Sequence, residues 1–308
     1  ELDGVTPEEK ITVKNAKTMH LTEMESLSRQ KPIDIAFVSM KSYDTEWATA
    51  LIKQYLAPDG FVVSLQNCLN EERIANQVGW GKTVGMVASL ISVDMFEAAR
   101  IRRTVAKGGD KHTVFRVGEV HGRITKRVEE LRDMVGRIDS AKTTTNLWGE
   151  RWSKLCQNGM KNGVSAATGL TGADCDRNDA IRRFSIKLGG EAVRVGQALG
   201  YHIEKIGKME PETLAKASEG DKAALDEIET ILRPGSNTNP NPRADIQRPS
   251  MAQDIRKGRR TEIEFMNGYV AERGNFIGVP APTHAKLTEI VKKVERKEVQ
   301  ASPALLGG

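Results

Sequence analysis

The stretch Ile33-Asp-Ile-Ala-Phe-Val38 is a short, almost continuously apolar run, as is typical of a strand buried on both faces of a parallel sheet. A second run of this kind, Phe61-Val-Val-Ser-Leu65, follows after a segment with helical spacing over 44–56 and the turn Pro58-Asp-Gly60. The next predicted elements are a helix over 71–78 and a strand over 83–93. This alternation predicts a parallel sheet with right-handed crossovers.

The pattern changes after residue 93. Residues 98–105 and 112–117 resemble an antiparallel pair, and an amphipathic helix is predicted over 124–138. From Asn146 onward strand signals almost vanish, and helices are predicted over 147–162, 178–199, 210–232, 250–273 and 283–297. We therefore expect an α/β domain over 1–143 and an all-α domain over 144–308. The turn-rich segment 233–243 is interpreted as a surface linker, with a mobile flap as the alternative.

The composition describes a globular chain without the marks of a nucleic-acid-binding protein. Apolar residues make up 39% of the 308 residues and charged residues 28%, which is typical of a folded protein. The net charge of +5 is small for this length, and no run of five consecutive basic residues occurs. No apolar run reaches the length of a membrane helix. The three widely spaced cysteines predict reduced thiols in a cytoplasmic protein without a structural zinc site.

One predicted helix carries an unusual polar face. Lys154, Asn158 and Asn162 recur every four residues, so they lie along one side of a continuous helix. An ammonium group and two carboxamides suit a small ligand with a carboxylate or a carbonyl group, because all three side chains donate hydrogen bonds. A solvated helix face explains the same spacing, and that alternative stays open.

A second polar helix is predicted near the end of the chain. Pro249 and Ser250 suit its first turn, since Pro is tolerated there and Ser can cap a helix. Asn267 and Gly268 are poor helix formers, and Gly costs about 1 kcal/mol relative to Ala. Polar residues crowd every face of this segment, so some of them are expected to face inward.

Polar residues also follow two of the predicted strands. Lys41 comes after the strand over 33–38, and Gln66-Asn67 comes directly after the strand over 61–65. The carboxyl ends of parallel strands are where α/β sheets bind ligands, although each position alone is a weak signal.

Together these motifs resemble the ketopantoate reductase family. The resemblance rests on Lys41, on Leu65-Gln-Asn67, on the helix from Trp152 to Asn162, and on the Ser250-Met-x-Gln-Asp and Thr261-Glu-Ile-x-x-x-Asn-Gly segments. The later Val279-Pro-x-Pro-Thr283 is similar as well. The resemblance covers residues 33 to 295 and implies a Rossmann-type cofactor domain followed by a helical catalytic domain.

The resemblance also implies roles for individual residues. Lys154 would be the general acid in the NADPH-dependent reduction of a small 2-oxo acid, with ketopantoate as the expected substrate. The implied substrate-binding residues are Asn67, Asn158, Asn162, Ser250, Met251, Ala252 and Gln253. The implied cofactor-binding residues are Lys41, Asn67 and Glu262, and Glu262 would lie about 18 Å along the helix from Ser250 at 1.5 Å per residue. No metal is implied, and a homodimer is left open.

Three departures from the family pattern keep alternatives open. The family opens with a strand and a Gly-x-Gly-x-x-Gly loop, which this sequence lacks, so we expect about the first 40 residues of a Rossmann domain to be missing. Cys68 stands where the family usually has Gly, and Gly172 stands where some members carry a substrate-contacting Asn. The alternatives are a reductase of another 2-oxo acid, or a truncated chain that binds a small acid without catalysis.

Overall fold

The computed structural model describes residues 12–14, 16–97, 99–103, 105–233 and 248–307. The chain forms two compact units. The first contains the described residues up to Gln66 together with Asn70–Leu147, and the second contains Asn67–Leu69 and the described residues from Trp148 onward. Nearly all of the predicted linker or flap over 233–243 lies outside the described residues.

The first unit is built around a sheet. Its elements are β1 (Ile33–Val38), α1 (Thr45–Ile52), β2 (Leu56–Ser64), α2 (Glu71–Val78), β3 (Thr83–Ala88), β4 (Val93–Glu97), β5 (Arg100–Arg103), β6 (Phe115–Glu119), α3 (Lys126–Gly136) and β7 (Ala141–Thr143). Five strands form one sheet in the order β1-β2-β3-β6-β7. The pairs β1–β2, β2–β3 and β6–β7 are parallel, and β6 is antiparallel to β3. The predicted Rossmann-like, mainly parallel sheet is confirmed.

The second strand differs from its prediction, because it begins before the expected turn. Pro58-Asp-Gly60 lies inside β2, where the register against β1 shifts between Ile33 and Ile35. Gly60 is required at this irregularity, since an added Cβ atom would lie 2.5 Å from the carbonyl oxygen of Ile33. The turn signal was therefore real, but it produces a bulge within a strand.

The predicted antiparallel pair of 98–105 with 112–117 is wrong. β5 pairs instead with β4 in a separate two-stranded sheet, and β6 joins the main sheet beside β3. The partners were misassigned because hydrophobic runs predict strands but do not say which strand pairs with which. The predicted third strand over 83–93 is correspondingly shorter, and it ends at Ala88.

The second unit is helical, as predicted. Its helices are α4 (Leu147–Gly159, which begins one residue before the unit), α5 (Asn162–Thr168), α6 (Gly172–Arg177), α7 (Asp179–Ala198), α8 (Pro211–Ser218), α9 (Lys222–Leu232), α10 (Ser250–Arg256), α11 (Asn267–Phe276) and α12 (Pro282–Glu295). The single helix predicted over 210–232 is two helices, because Gly220 takes a left-handed backbone conformation with φ of +99°. No helix in the described ranges is long and apolar enough to cross a membrane.

Candidate active site

Helix α4 is anchored in the core of the helical unit by one face. Trp152 is completely buried, and its Nε1 donates a hydrogen bond to the carbonyl oxygen of Ala192 on α7 at 2.8 Å. Gly196, one turn further along α7, makes room for the indole ring, since a Cβ atom there would collide with Trp152. Leu155 and Cys156 are also buried. This apolar face fixes the rotation of α4 about its own axis.

The polar face of α4 is half-buried. Lys154 and Asn158 lie one turn apart on α4, and each side chain is partly covered. Gln157 beside them is half-buried too, whereas the other residues over 151–159 are buried. The structure therefore does not place Lys154 and Asn158 on a fully solvated helix face, which was the alternative that the spacing left open.

The single helix predicted over 147–162 is wrong, and the break falls inside the polar motif. α4 ends at Gly159, the N–H of Lys161 donates to the carbonyl oxygen of Asn158 at 3.1 Å, and α5 begins at Asn162. Asn162 is buried, with 9% of its surface exposed. Lys154 and Asn158 share one helix face as predicted, whereas Asn162 opens the next helix.

The residues at the start of α10 divide into exposed and buried positions. Pro249 is the cap residue and Ser250 is the first helical residue, so Ser250 does not cap the helix as the sequence suggested. The Ser250 side chain is exposed. Met251 and Ala252 lie in the core, with 2% and 3% of their surface exposed. Gln253 Nε2 donates to the carbonyl oxygen of Arg248 at 2.8 Å, and this bond constrains the backbone just before the helix.

Sequence reasoning missed Arg248, which ties α10 to α5. Its Nε and Nη2 atoms donate to the carbonyl oxygen of Gly169 at 3.3 and 3.2 Å. Gly169 follows the last residue of α5 in a left-handed conformation. Helices α5 and α10 also pack directly against each other. The start of α10, with Ser250, is therefore held beside the end of the helix that Asn162 begins.

The predicted helix over 250–273 is wrong as well. α10 ends at Arg256 in a Schellman motif: Gly258 has φ of +64°, its N–H donates to the carbonyl oxygen of Ile255, and the N–H of Arg259 donates to that of Asp254. The distance of 18 Å predicted between Ser250 and Glu262 therefore does not apply. A signal for this break was present in the sequence, because Gly is the usual residue at that position of the motif.

Glu262 lies beyond the break, next to a residue that is hydrogen-bonded to α12. It precedes a short 3-10 turn, Ile263–Phe265, and only 6% of its surface is exposed. The adjacent Thr261 donates from its N–H and its hydroxyl to the carboxylate of Glu295 on α12, at 2.7 and 2.6 Å. The last turn of α12 thus fixes the segment that carries Glu262.

In the sheet unit, Lys41 follows β1 and is half-buried. The loop around it is shaped by Gln66, whose Nε2 donates to the carbonyl oxygen of Met40 at 2.9 Å and to Thr45 Oγ1 at 2.8 Å. Gln66 is therefore occupied by structural contacts, and it holds the loop that carries Lys41.

Asn67 belongs to the helical unit although it follows β2 closely. It is half-buried, and the adjacent Cys68 and Leu69 lie in the same hydrophobic core as Trp152. Cys68 has φ of +64°, a left-handed conformation that side chains disfavour. This backbone geometry explains why Gly is the expected residue here, and the Cys side chain is accommodated by burial in the core.

Two of the three cysteines are poor candidates for a nucleophile. All three are buried. Burial raises the pKa of the Cys156 and Cys175 thiols, so the thiolate forms are disfavoured at neutral pH. Within the described ranges no group of three His, Cys, Asp or Glu side chains could hold a metal ion. The side chains predicted for the site carry ammonium, amide, hydroxyl and carboxylate groups.

Comparison with known proteins identifies the same family over both units. Residues 2–113 match the family described as ketopantoate reductase PanE/ApbA, and residues 146–295 match its C-terminal domain, described as ketopantoate reductase PanE/ApbA C terminal. The 2-dehydropantoate 2-reductase of Archaeoglobus fulgidus is 26% identical over 270 residues, which is 87% of this chain and 79% of that protein.

Solved structures show the same fold. The PanE/ApbA family ketopantoate reductase of Ralstonia eutropha JMP134 has a TM-score of 0.68 at 23% identity, over 89% of this chain and 79% of that one. D-mandelate dehydrogenase in complex with NADH also has a TM-score of 0.68, at 18% identity over 86% of this chain and 79% of that one. Proteins named for different substrates therefore share this fold, so the substrate has to be argued from the site.

Proposed function

Because the chain belongs to the ketopantoate reductase family and is an oxidoreductase, we propose that it catalyses the NADPH-dependent reduction of 2-dehydropantoate to pantoate. The observation that supports this proposal is the half-buried polar face of α4, where an ammonium group and an amide stand one turn apart on a helix whose other face is core. A partly dehydrated ammonium beside neutral amides suits an anionic substrate with a ketone.

Lys154 is proposed as the general acid. In the reduction of a ketone, negative charge develops on the ketone oxygen as hydride reaches the carbon. The Lys154 ammonium would donate a hydrogen bond to that oxygen and then transfer its proton, which gives the 2-hydroxy acid. The neutral amine regains a proton from solvent. The partial cover of the side chain strengthens this electrostatic effect, because the effective dielectric constant is lower there than in water.

The substrate would be held by amides and a hydroxyl. Asn67, Asn158 and Asn162 donate without adding a charge that competes with Lys154. The exposed Ser250 hydroxyl and Gln253 complete the side chains of the proposed set. Met251 and Ala252 belong to it only through their backbone, because their side chains lie in the core.

The proposed cofactor residues fit NADPH by their chemistry. Lys41 offers a half-buried ammonium at the carboxyl end of β1, the position where doubly wound sheets bind dinucleotides. Glu262 offers a buried carboxylate that can accept hydrogen bonds from hydroxyl or carboxamide groups, and Asn67 offers an amide. When bound, NADPH would supply the hydride.

The test is an assay of the full gene product with a panel of 2-oxo acids, each with NADPH and with NADH. We expect the highest kcat/KM for 2-dehydropantoate with NADPH. A higher kcat/KM for another 2-oxo acid would overturn the substrate assignment, and no reduction of any of them would overturn the proposed function. The cytoplasmic location stays a prediction, which cell fractionation can check. Sedimentation can decide the oligomeric state, for which the sequence left a homodimer open.

A further inference from the structure

A buried polar network ends at the break between α4 and α5. Asn267, the first residue of α11, donates from Nδ2 to the carbonyl oxygen of Gly159 at 3.0 Å. The same Nδ2 lies 3.1 Å from Nδ1 of His284 on α12, and His284 Nε2 lies 2.8 Å from the carbonyl oxygen of Leu188 on α7. Asn267 and His284 are both buried, with 0% and 1% of their surface exposed.

The geometry fixes which atoms of this network donate hydrogen bonds and which accept them. The carbonyl oxygen of Leu188 can only accept, so His284 Nε2 carries the hydrogen. Nδ1 of the neutral imidazole is then an acceptor, and it receives one N–H of the Asn267 amide while Gly159 receives the other. A rotated Asn267 amide would point its oxygen at two acceptors. His284 therefore orients Asn267, and Asn267 holds Gly159.

The outer end of the network is anchored on α7. The carboxylate of Glu191 accepts hydrogen bonds from the backbone N–H groups of Thr283 and His284 and from the Thr283 hydroxyl. These contacts fix the first turn of α12 and give the Pro-Thr motif over 282–283 a structural role. Leu188 and Glu191, one turn apart, thus hold both the ring and the backbone of His284.

The network reaches the candidate site through Gly159. In an unbroken helix, the carbonyl oxygen of Gly159 would accept the N–H of Gly163. Here it accepts a hydrogen bond from Asn267, and the chain leaves α4 at this residue. Asn158 comes directly before this point, and Asn162 begins the next helix shortly after it. The orientation of both amides therefore depends on where α4 ends.

The two hydrogen-bonding ends of the Asn267 amide differ in their surroundings, because only Nδ2 belongs to the network. Its Oδ1 is buried and has no hydrogen-bond partner among the described residues, and an unpaired buried oxygen costs free energy.

We propose that Asn267 and His284 are positioning residues for the substrate-binding amides, an inference that rests on the function proposed for Asn158 and Asn162. They act by holding the carbonyl oxygen of Gly159, and neither of them touches the substrate. The expected consequence is specific: loss of this contact weakens the use of the oxo acid and leaves the use of NADPH unchanged.

Two substitutions of His284 separate positioning from simple packing. An Asn side chain reaches as far as Nδ1, so His284→Asn keeps an acceptor for Asn267. A Gln side chain reaches as far as Nε2, so His284→Gln keeps the bond to Leu188 and loses that acceptor. We expect His284→Gln to lower kcat/KM for the oxo acid by about 10-fold or more, while the KM for NADPH stays within about twofold, because small misplacements are costly in a reactive geometry. His284→Asn should retain most of the activity.

The opposite pattern is expected at the other end of α12. Glu295→Ala removes the acceptor of Thr261, next to Glu262, and should raise the KM for NADPH rather than that for the oxo acid. Equal activity of the two His284 variants, or equal losses for both substrates, would overturn the positioning role. If both His284 variants fail to fold, Glu191→Ala tests the outer anchor, and it should give a smaller loss in the same direction.

Amide hydrogen exchange provides a readout that does not depend on catalysis. In His284→Gln, exchange of the amides over 158–163 should be faster than in His284→Asn, while the rest of the helical unit remains alike in the two variants. Equal exchange over 158–163 would contradict the inference. If the wild-type gene product reduces no 2-oxo acid, the proposed function fails, and the exchange measurement still decides whether Asn267 and His284 hold this segment.

Discussion

Two helical segments, 147–168 and 250–276, carry most of the candidate site, and both contain a break where a continuous helix was predicted. They break for different physical reasons. The second break follows from local chemistry, since Gly258 adopts a left-handed conformation and closes a Schellman motif. The first break is accompanied by a hydrogen bond from Asn267, which lies 108 residues away in the sequence.

The two segments show that the same helical periodicity in a sequence is compatible with helix breaks of different physical origin. A glycine break is set by the backbone and should respond to substitution by a modest, local change in stability. A break held by tertiary contacts depends on a protonation state and on tight packing. The first break should therefore be more sensitive to pH and to added volume than the second.

The largest expected effect concerns His284. Burial lowers its pKa from 6.5 to about 4, so the unfolded chain binds a proton more readily than the folded protein between these values. The contribution of His284 to the free energy of unfolding should be largest above pH 6.5, and about 3 kcal/mol of it should be lost as the pH falls to 4. Chemical denaturation at several pH values measures this pH dependence of the free energy of unfolding. His284→Asn should lack this part of the slope, and an unchanged slope would show that the buried imidazole does not titrate as described.

A smaller effect is expected from added volume at the first break. A Cβ atom on Gly163 would lie 2.9 Å from Leu287 Cδ2 and 3.0 Å from Ile263 Cδ1, both in buried side chains. Gly163→Ala should therefore lower the free energy of unfolding by about 2 kcal/mol, the usual range for overpacking. Denaturant titration checks this value, and a variant as stable as the wild type would mean that the start of α5 is more loosely packed than described.

The smallest effect is expected at the second break. A Cβ atom on Gly258 would have no neighbour within 4 Å among the described residues, so Gly258→Ala changes only the backbone conformational energy. We expect a loss of about 1 kcal/mol from the left-handed conformation. Gly172→Ala is the matched control, since its surroundings are equally open and its φ is not in the left-handed region. The control should stay within about 0.5 kcal/mol of the wild type. Equal stabilities of the two variants would remove the distinction between the breaks.

Features set by local sequence were predictable. β1 and α2 begin and end where their apolar patterns do, and α7 differs from its prediction by one residue at each end. The shared helix face of Lys154 and Asn158 was predictable, because an i, i+4 pair of polar residues is visible in the sequence alone. The end of α10 could also have been found, because Gly258 was a visible signal.

Features set by distant contacts were not predictable. The sequence around Gly159 does not indicate that its carbonyl oxygen accepts a hydrogen bond from Asn267. Likewise, the sequence over 112–119 does not indicate that this strand pairs with β3. The placement of Met251 and Ala252 in the core was also hidden, because a motif of contiguous residues does not say which side chains face inward.

The central claim is that the polar face of α4 carries the chemistry, and Lys154→Ala tests it most directly. The measurement is steady-state kinetics of the full gene product with 2-dehydropantoate, together with NADPH affinity by fluorescence titration. Lys187→Ala, an exposed lysine on α7, is the control for loss of charge, and Glu262→Ala is expected mainly to weaken NADPH binding. We predict that Lys154→Ala lowers kcat by about 10²-fold or more, the usual scale for a general acid or an oxyanion donor, with NADPH affinity unchanged. A folded Lys154→Ala enzyme with the kcat of the Lys187→Ala control would contradict the account.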